Sequence, residues 1–167
     1  MKPIMRAAAL ALSMLMLCGI CASCGDDAEE ISMYDLNKTL VAFTGDPDNM
    51  KYASSSDANP ADLLVNVSDI DYSKVKAFFI TYASDGKGNA DEIVAIQVKK
   101  KADLGEAAES LRRHLETRKT LYATYDKNQL PKLNKAKVFT RGTLAILMVA
   151  DQSEKMEAAF YRFFNQS

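Results

Sequence analysis

The 167-residue chain has no tryptophan, one histidine and three cysteines, and all three cysteines fall in the first 24 residues. With no cysteine beyond residue 24, the remaining chain can form neither a disulfide framework nor a cysteine-based metal site. A single histidine, His114, leaves little for a histidine-rich metal centre. Four prolines and seven glycines are too few for a collagenous or low-complexity chain. No charge sign dominates: 21 basic residues stand against 22 acidic ones, for a net charge of −1. A nucleic-acid partner is therefore not expected, because phosphate binding needs a basic face. What is present is 48% hydrophobic residues, enough for one domain with a sizeable core.

Residues 1–23 have the pattern of a targeting segment. Lys2 and Arg6 make a positive start, an apolar run extends from Ala7 to Ile20, and the chain turns acidic after Cys24. Cys21-Ala22-Ser23-Cys24 resembles a bacterial lipobox, with small residues before the thiol that would carry the diacylglyceryl group. Cys24 is the expected lipid-attachment residue. Cleavage before Cys21, ordinary signal cleavage with release, and an uncleaved membrane helix are the competing outcomes. Lipid attachment would make the membrane the first partner and place the domain on the extracytoplasmic face of the cell membrane. Losing Lys2 and Arg6 from the 21 basic residues, and none of the 22 acidic ones, would shift the net charge to −3. Residues 24–30 then read as a short lipidated tether, and 31–167 as a single α+β domain with its core over about 75–165.

Hydrophobic periodicity predicts the elements. A first helix is expected over Ser32–Thr44, with Ser32 and Asp35 as a capping box and Gly45 as its stop. Residues 45–62, rich in Gly, Asp, Asn, Ser and Pro, read as flexible, apart from a short helix opened by Asn59-Pro60 and running through Leu64. Strands are expected over Val75–Ala83 and Glu92–Lys99, then a long helix over Asp103–Tyr125. Its outer face would pair Glu109 with Arg113 and Arg112 with Glu116. Two more strands, Ala136–Arg141 and Thr143–Ala150, and a last helix over Gln152–Phe164 complete the order α-ββα-ββα. The expected fold is a four-stranded antiparallel sheet packed against helices.

From about Val75 to Phe164 the chain resembles a bacterial lipoprotein family, the domain-of-unknown-function 4358 family. The similarity rests on four features in order. They are a glycine-containing turn before Ala90-Asp-Glu-Ile93, a long helix ending Tyr122-Ala-Thr-Tyr125, the link Leu130-Pro-Lys-Leu133, and a Gly142 hairpin before Val149-Ala-Asp151. The resemblance implies a lipid-anchored envelope protein. The family has no established activity, so it supplies no catalytic residue.

Four constellations bear on chemistry. His114 lies one helical turn after Ser110, and with Asp126 the set could imitate a nucleophilic triad. No nucleophile elbow or oxyanion loop accompanies it, so a surface histidine beside Leu111 and Leu115 is expected. Asp85–Glu92 alternates oxygen-bearing side chains, but Ile96 stands where an EF-hand calcium loop needs its final Glu, and a hairpin turn is expected instead. Lys99-Lys100-Lys101 could touch anionic lipid or a wall polymer, or could simply solvate a strand end. Tyr82, Tyr122 and Tyr125 could line a pocket or belong to the core. No catalytic residue, cofactor or metal is assigned. The leading reading is a non-enzymatic binding or interaction module. The alternatives are an envelope enzyme using paired carboxylates, such as a glycan hydrolase, and a structural or inhibitory partner of another envelope protein. That partner would dock on Ala145, Leu147 and Val149 if the first helix leaves them uncovered.

Overall fold

The computed structural model describes residues 30–84, 86 and 88–165. The targeting segment, Cys24 and most of the tether lie outside the described residues, as do Asp85 and Lys87 of the turn.

Helix α1 spans Met33–Val41. Ser32 caps it as the sequence predicts: its Oγ accepts from Asp35 N at 3.3 Å and donates to the Asp35 carboxylate at 2.6 Å. The helix ends before Thr44, and Gly45 is not its stop; Gly45 N instead donates to Asp91 at 2.6 Å. Residues 47–54 depart most from expectation. A 3-10 turn over Pro47–Asn49 leads into strand β1, Met50–Ser54, within the stretch expected to be flexible. Pro60–Leu64 forms the short helix α2, with Asn59 in a left-handed conformation (φ 53°) and no capping hydrogen bond from its side chain.

Strands β2 (Val75–Ala83) and β3 (Glu92–Val98) form the first hairpin. Helix α3 (Leu104–Tyr125) and the one-and-a-half-turn helix α4 (Leu130–Lys135) follow. Strands β4 (Lys137–Arg141) and β5 (Leu144–Val149) make the second hairpin around Gly142, whose φ of 57° a side chain would resist. Helix α5 spans Ser153–Asn165. The sheet therefore has five antiparallel strands in the order β1-β2-β3-β5-β4, not four. The fifth is the edge strand β1, paired to β2 from Met50 opposite Ala83 to Ser54 opposite Phe79.

Helices cover both faces of this sheet. On one side Ala108, Leu111 and Leu115 of α3 and Leu133 of α4 meet Phe78, Val94, Ile96 and Leu147. On the other, Leu36 and Leu40 of α1 and Met156 and Phe160 of α5 meet Phe79, Ile93, Ile146 and Met148. Because β3 and β5 lie at the centre, every residue of both is buried. β5 matches its sequence reading; β3 was expected to alternate with polar Gln97, but that residue is buried too. Ala145, Leu147 and Val149 are buried under α3, while α1 lies on the opposite face, so they offer no docking surface. The expected pairs on α3 are re-sorted: Arg112 reaches Glu109 at 3.1 Å, Arg113 crosses to Asp69 at 2.6 Å, and Glu116 takes Lys119 at 2.7 Å. Among the described residues no helix is long and apolar enough to cross a membrane.

Candidate functional site

The start of β3 places two consecutive acids, Asp91 and Glu92, beneath the end of α3. Both side chains are buried, at 0% and 8% exposure. A buried carboxylate survives only with cationic or hydrogen-bonding partners, and the two acids find different ones.

Asp91 takes Lys132 Nζ of α4 at 2.5 Å and Gly45 N of the α1–β1 connection at 2.6 Å. Lys132 also donates to Asn89 Oδ1 at 3.0 Å and reaches Asp151, just beyond β5, at 3.2 Å. Ala90 N donates to Gln129 Oε1 at 3.1 Å, and the Tyr122 hydroxyl donates to Asn89 O at 3.3 Å. Gly88, with φ of 77°, lies so close to the Tyr125 ring that an added Cβ would sit 3.0 Å from it. Three of the features that carry the family resemblance, and the Val149-Ala150-Asp151 end of the fourth, thus meet at one end of the sheet, in a staple that joins the first hairpin, α3, α4 and the end of β5, while the Gly142 turn lies at the other end.

Glu92 faces a different set. His114 Nε2 lies 2.9 Å and Arg118 Nη1 2.7 Å from the same oxygen, Oε2. One helical turn apart on α3, these residues put both heads on the strand below. Burial alone would raise the Glu92 pKa, but the hydrogen bond from His114 and the charge of Arg118 outweigh it and hold the carboxyl below its ordinary value. Glu92 is therefore ionised and accepts, so Nε2 of His114 carries the proton. Burial would lower the pKa of Arg118; the Glu92 charge outweighs this and raises it. The Arg118 guanidinium stacks over the Tyr122 ring at 5.4 Å. Its Nη1 is buried and held against Glu92 Oε2 as an ion pair.

This trio forms the floor of a cleft of about 370 Å³. Leu63 and Val67 form one wall; Ile80 and Tyr82 of β2, with Ala53 of β1, form the other; Tyr122 closes the end. Such a volume and mixture of apolar walls with a few convergent polar groups are those of a small-molecule site. The edge strand absent from the sequence reading builds part of its wall.

The structure corrects several expectations. His114 is not a surface residue: its side chain is 15% exposed and lines the cleft. Ser110 is turned elsewhere, sharing a 2.5 Å hydrogen bond with Ser68 Oγ and accepting from Asp69 N. Asp126 caps the following 3-10 turn through Asn128 N at 3.0 Å. The imagined triad is thus split three ways. Tyr82 and Tyr122 do line the cleft, whereas Tyr125 packs on the turn. In the Asp85–Glu92 segment, the described acids Asp91 and Glu92 are held by Lys132, His114 and Arg118, as suits a hairpin turn rather than a calcium loop. Lys99 donates to Ser73 O at 2.7 Å, while Lys100 and Lys101 are exposed. Both carboxylates of the cleft are thus committed to cations. A glycosidase acid, by contrast, needs a raised pKa. Glu92 and Arg118 escaped the sequence reading; the available signals were an acid adjoining the wholly apolar Ile93 and a cation one turn after the only histidine.

No curated protein and no solved structure matches the chain. A family model does match, over residues 47–150, which is more than half of the sequence. The match starts before β1 and stops ahead of α5, so it includes the edge strand and α2, which the resemblance by motif had left out, and omits the last helix. The cleft floor lies within it, as do Asn89, Asp91 and Lys132 of the staple, while Gly45 and Asp151 fall just outside, and the chain belongs to the family described as Domain of unknown function (DUF4358).

Proposed function

We propose that this protein is a lipid-anchored binding module of the cell envelope, holding a small ligand in the cleft above Glu92, His114 and Arg118. The observation that carries the reading is the cleft itself: a cavity of about 370 Å³ with a charged floor between apolar walls. The anchoring half rests on the Cys21–Cys24 motif and on the acidic change after it. Two acyl chains on Cys24 would give stable attachment where one would not.

The two halves are tested separately. Cys24→Ser should abolish incorporation of radiolabelled fatty acid and partition into detergent, with the melting temperature unchanged because the residue precedes α1 and every buried stripe. Labelled, membrane-bound Cys24→Ser protein would refute the assignment. For the cleft, envelope extracts are fractionated and added to the full chain in detergent while the imidazole resonance of His114 is followed. As the only histidine, it gives one signal. A saturable shift from a fraction that stays chemically unchanged supports a binding module. Consumption of a compound in that fraction would replace the reading with an enzymatic one.

A further inference from the structure

We infer that the ligand of this cleft is a small organic anion, whose carboxylate or phosphate group meets Arg118 and whose apolar body lies against Leu63, Val67 and Tyr82. This rests on the proposed binding role and names its ligand class.

The polar groups around the cleft differ in the hydrogen-bonding capacity they retain. Asn89 Oδ1 accepts from Lys132 Nζ at 3.0 Å and Asp91 N at 3.1 Å, and its Nδ2 donates to Asp91 Oδ2 at 3.4 Å. Asn66 Nδ2 donates to Asp62 O and Leu63 O within α2. The Tyr122 hydroxyl donates to Asn89 O. Asp91 is closed off by Lys132 and Gly45. Glu92 Oε2 already serves both His114 and Arg118. A cationic ligand would have to compete with two resident partners for that carboxylate. Arg118 is the opposite case: a guanidinium has five N–H donors, and of its nitrogens only Nη1, buried against Glu92 Oε2 at 2.7 Å, is spent on a carboxylate. Its side chain is only 13% exposed, so an anion reaching it would be bound in a largely desolvated place, where charge-assisted hydrogen bonds are strong. Glu92 offsets the charge of Arg118 before binding and fixes its head by contact. The two walls offer Leu63, Val67 and Ile80, with the ring of Tyr82 partly exposed. A bare inorganic ion would leave that apolar surface unused.

The test uses a matched probe set on the full chain in detergent: benzoate, phenyl phosphate, benzyl alcohol and benzylammonium. Binding is read from the saturable shift of the His114 imidazole resonance. The expected result is that benzoate or phenyl phosphate binds about tenfold or more tightly than benzyl alcohol, with benzylammonium weakest. The order of the two anions tells a carboxylate ligand from a phosphate one. Arg118→Met alone would strand Glu92, so it is combined with Glu92→Gln; the double variant should lose the preference for anions, with the ratio falling to about one. Tyr82→Ala should weaken anion and alcohol by a similar factor and keep the ratio. If benzyl alcohol or benzylammonium binds as well as the anions, the ligand class is wrong while the cleft remains a binding site. If no probe gives a saturable shift, the anion inference and the cleft reading both fall.

Discussion

Asp91 and Glu92 are neighbours in the chain, both buried and both paired to cations from helices on the same side of the sheet, yet their surroundings differ. Asp91 has its ammonium from a short helix whose position is fixed on all sides: Lys132 touches Asn89, Asp91 and Asp151, and Gly45 closes the remaining side. All its partners belong to the protein, and although it borders the same cleft its side chain is wholly buried. Glu92 has cations from the middle of a long helix, with a cleft beside them. The same chemistry of a buried carboxylate and a cation serves to fasten elements in one place and to hold a charged head ready in the other. The distinguishing feature is whether the cation retains donors without acceptors, and that is a property of geometry rather than of residue type.

The contrast breaks most visibly at Lys132. Lys132→Met would leave Asp91 wholly buried without its cation, with only Gly45 N and Asn89 Nδ2 donating to it, and breaking such a pair costs about 3–5 kcal/mol. Urea denaturation should show the midpoint falling by the corresponding amount, and a variant within about 1 kcal/mol of the wild type would show that the staple does not hold the fold. At the cleft the effect should be smaller. Glu92→Gln keeps a hydrogen-bond acceptor and releases Arg118 toward an opening, so a loss of about 1–3 kcal/mol is expected.

The pH dependence sharpens the same comparison. The folded-state pKa of Glu92 is held below its ordinary value, so its contribution is fully present above the usual carboxylate range, near about 4.3, and is lost as pH falls through the lower folded value. Urea midpoints from neutral pH down to about 2 should therefore converge between wild type and Glu92→Gln as this carboxylate is protonated. If the gap stays constant through acid, Glu92 is not ionised in the folded protein.

The legible and illegible parts of the sequence divide along similar lines. Long periodic elements were readable: α3, both hairpins and α5 lie within a residue or two of their predicted bounds because each has a full apolar stripe. β1 was not, because it has five residues, sits between Pro47 and Pro60, and as an edge strand keeps Lys51 and Tyr52 exposed. A strand that buries so little carries no alternating signal, and only its pairing with β2 defines it. For the site, His114 could be singled out because it is alone. Its partner Glu92 lies 22 residues earlier on another element, and only the packing of α3 across β3 brings them together. Local periodicity puts Ser110 and His114 on one face, but it could not foresee that Ser68 would engage the first and Glu92 the second.

The finest test of the comparison lies in the turn that joins staple to cleft. Gly86 and Gly88 both have left-handed backbones, with φ of 69° and 77°. A side chain at Gly86 would meet nothing within 4 Å, whereas one at Gly88 would sit 3.0 Å from the ring of Tyr125. Alanine at Gly86 should therefore register only the backbone penalty, about 1 kcal/mol. Alanine at Gly88 carries the same penalty and must also push the ring aside. Tyr125 forms an edge-to-face pair with Tyr122, 6.2 Å between centroids, and Tyr122 closes the end of the cleft. The Gly88 variant should therefore lose about 1 kcal/mol more than the Gly86 variant and should also move the His114 resonance, which the Gly86 variant should not. Equal losses and an unmoved resonance would mean that Tyr125 yields freely and that the turn is mechanically separate from the cleft.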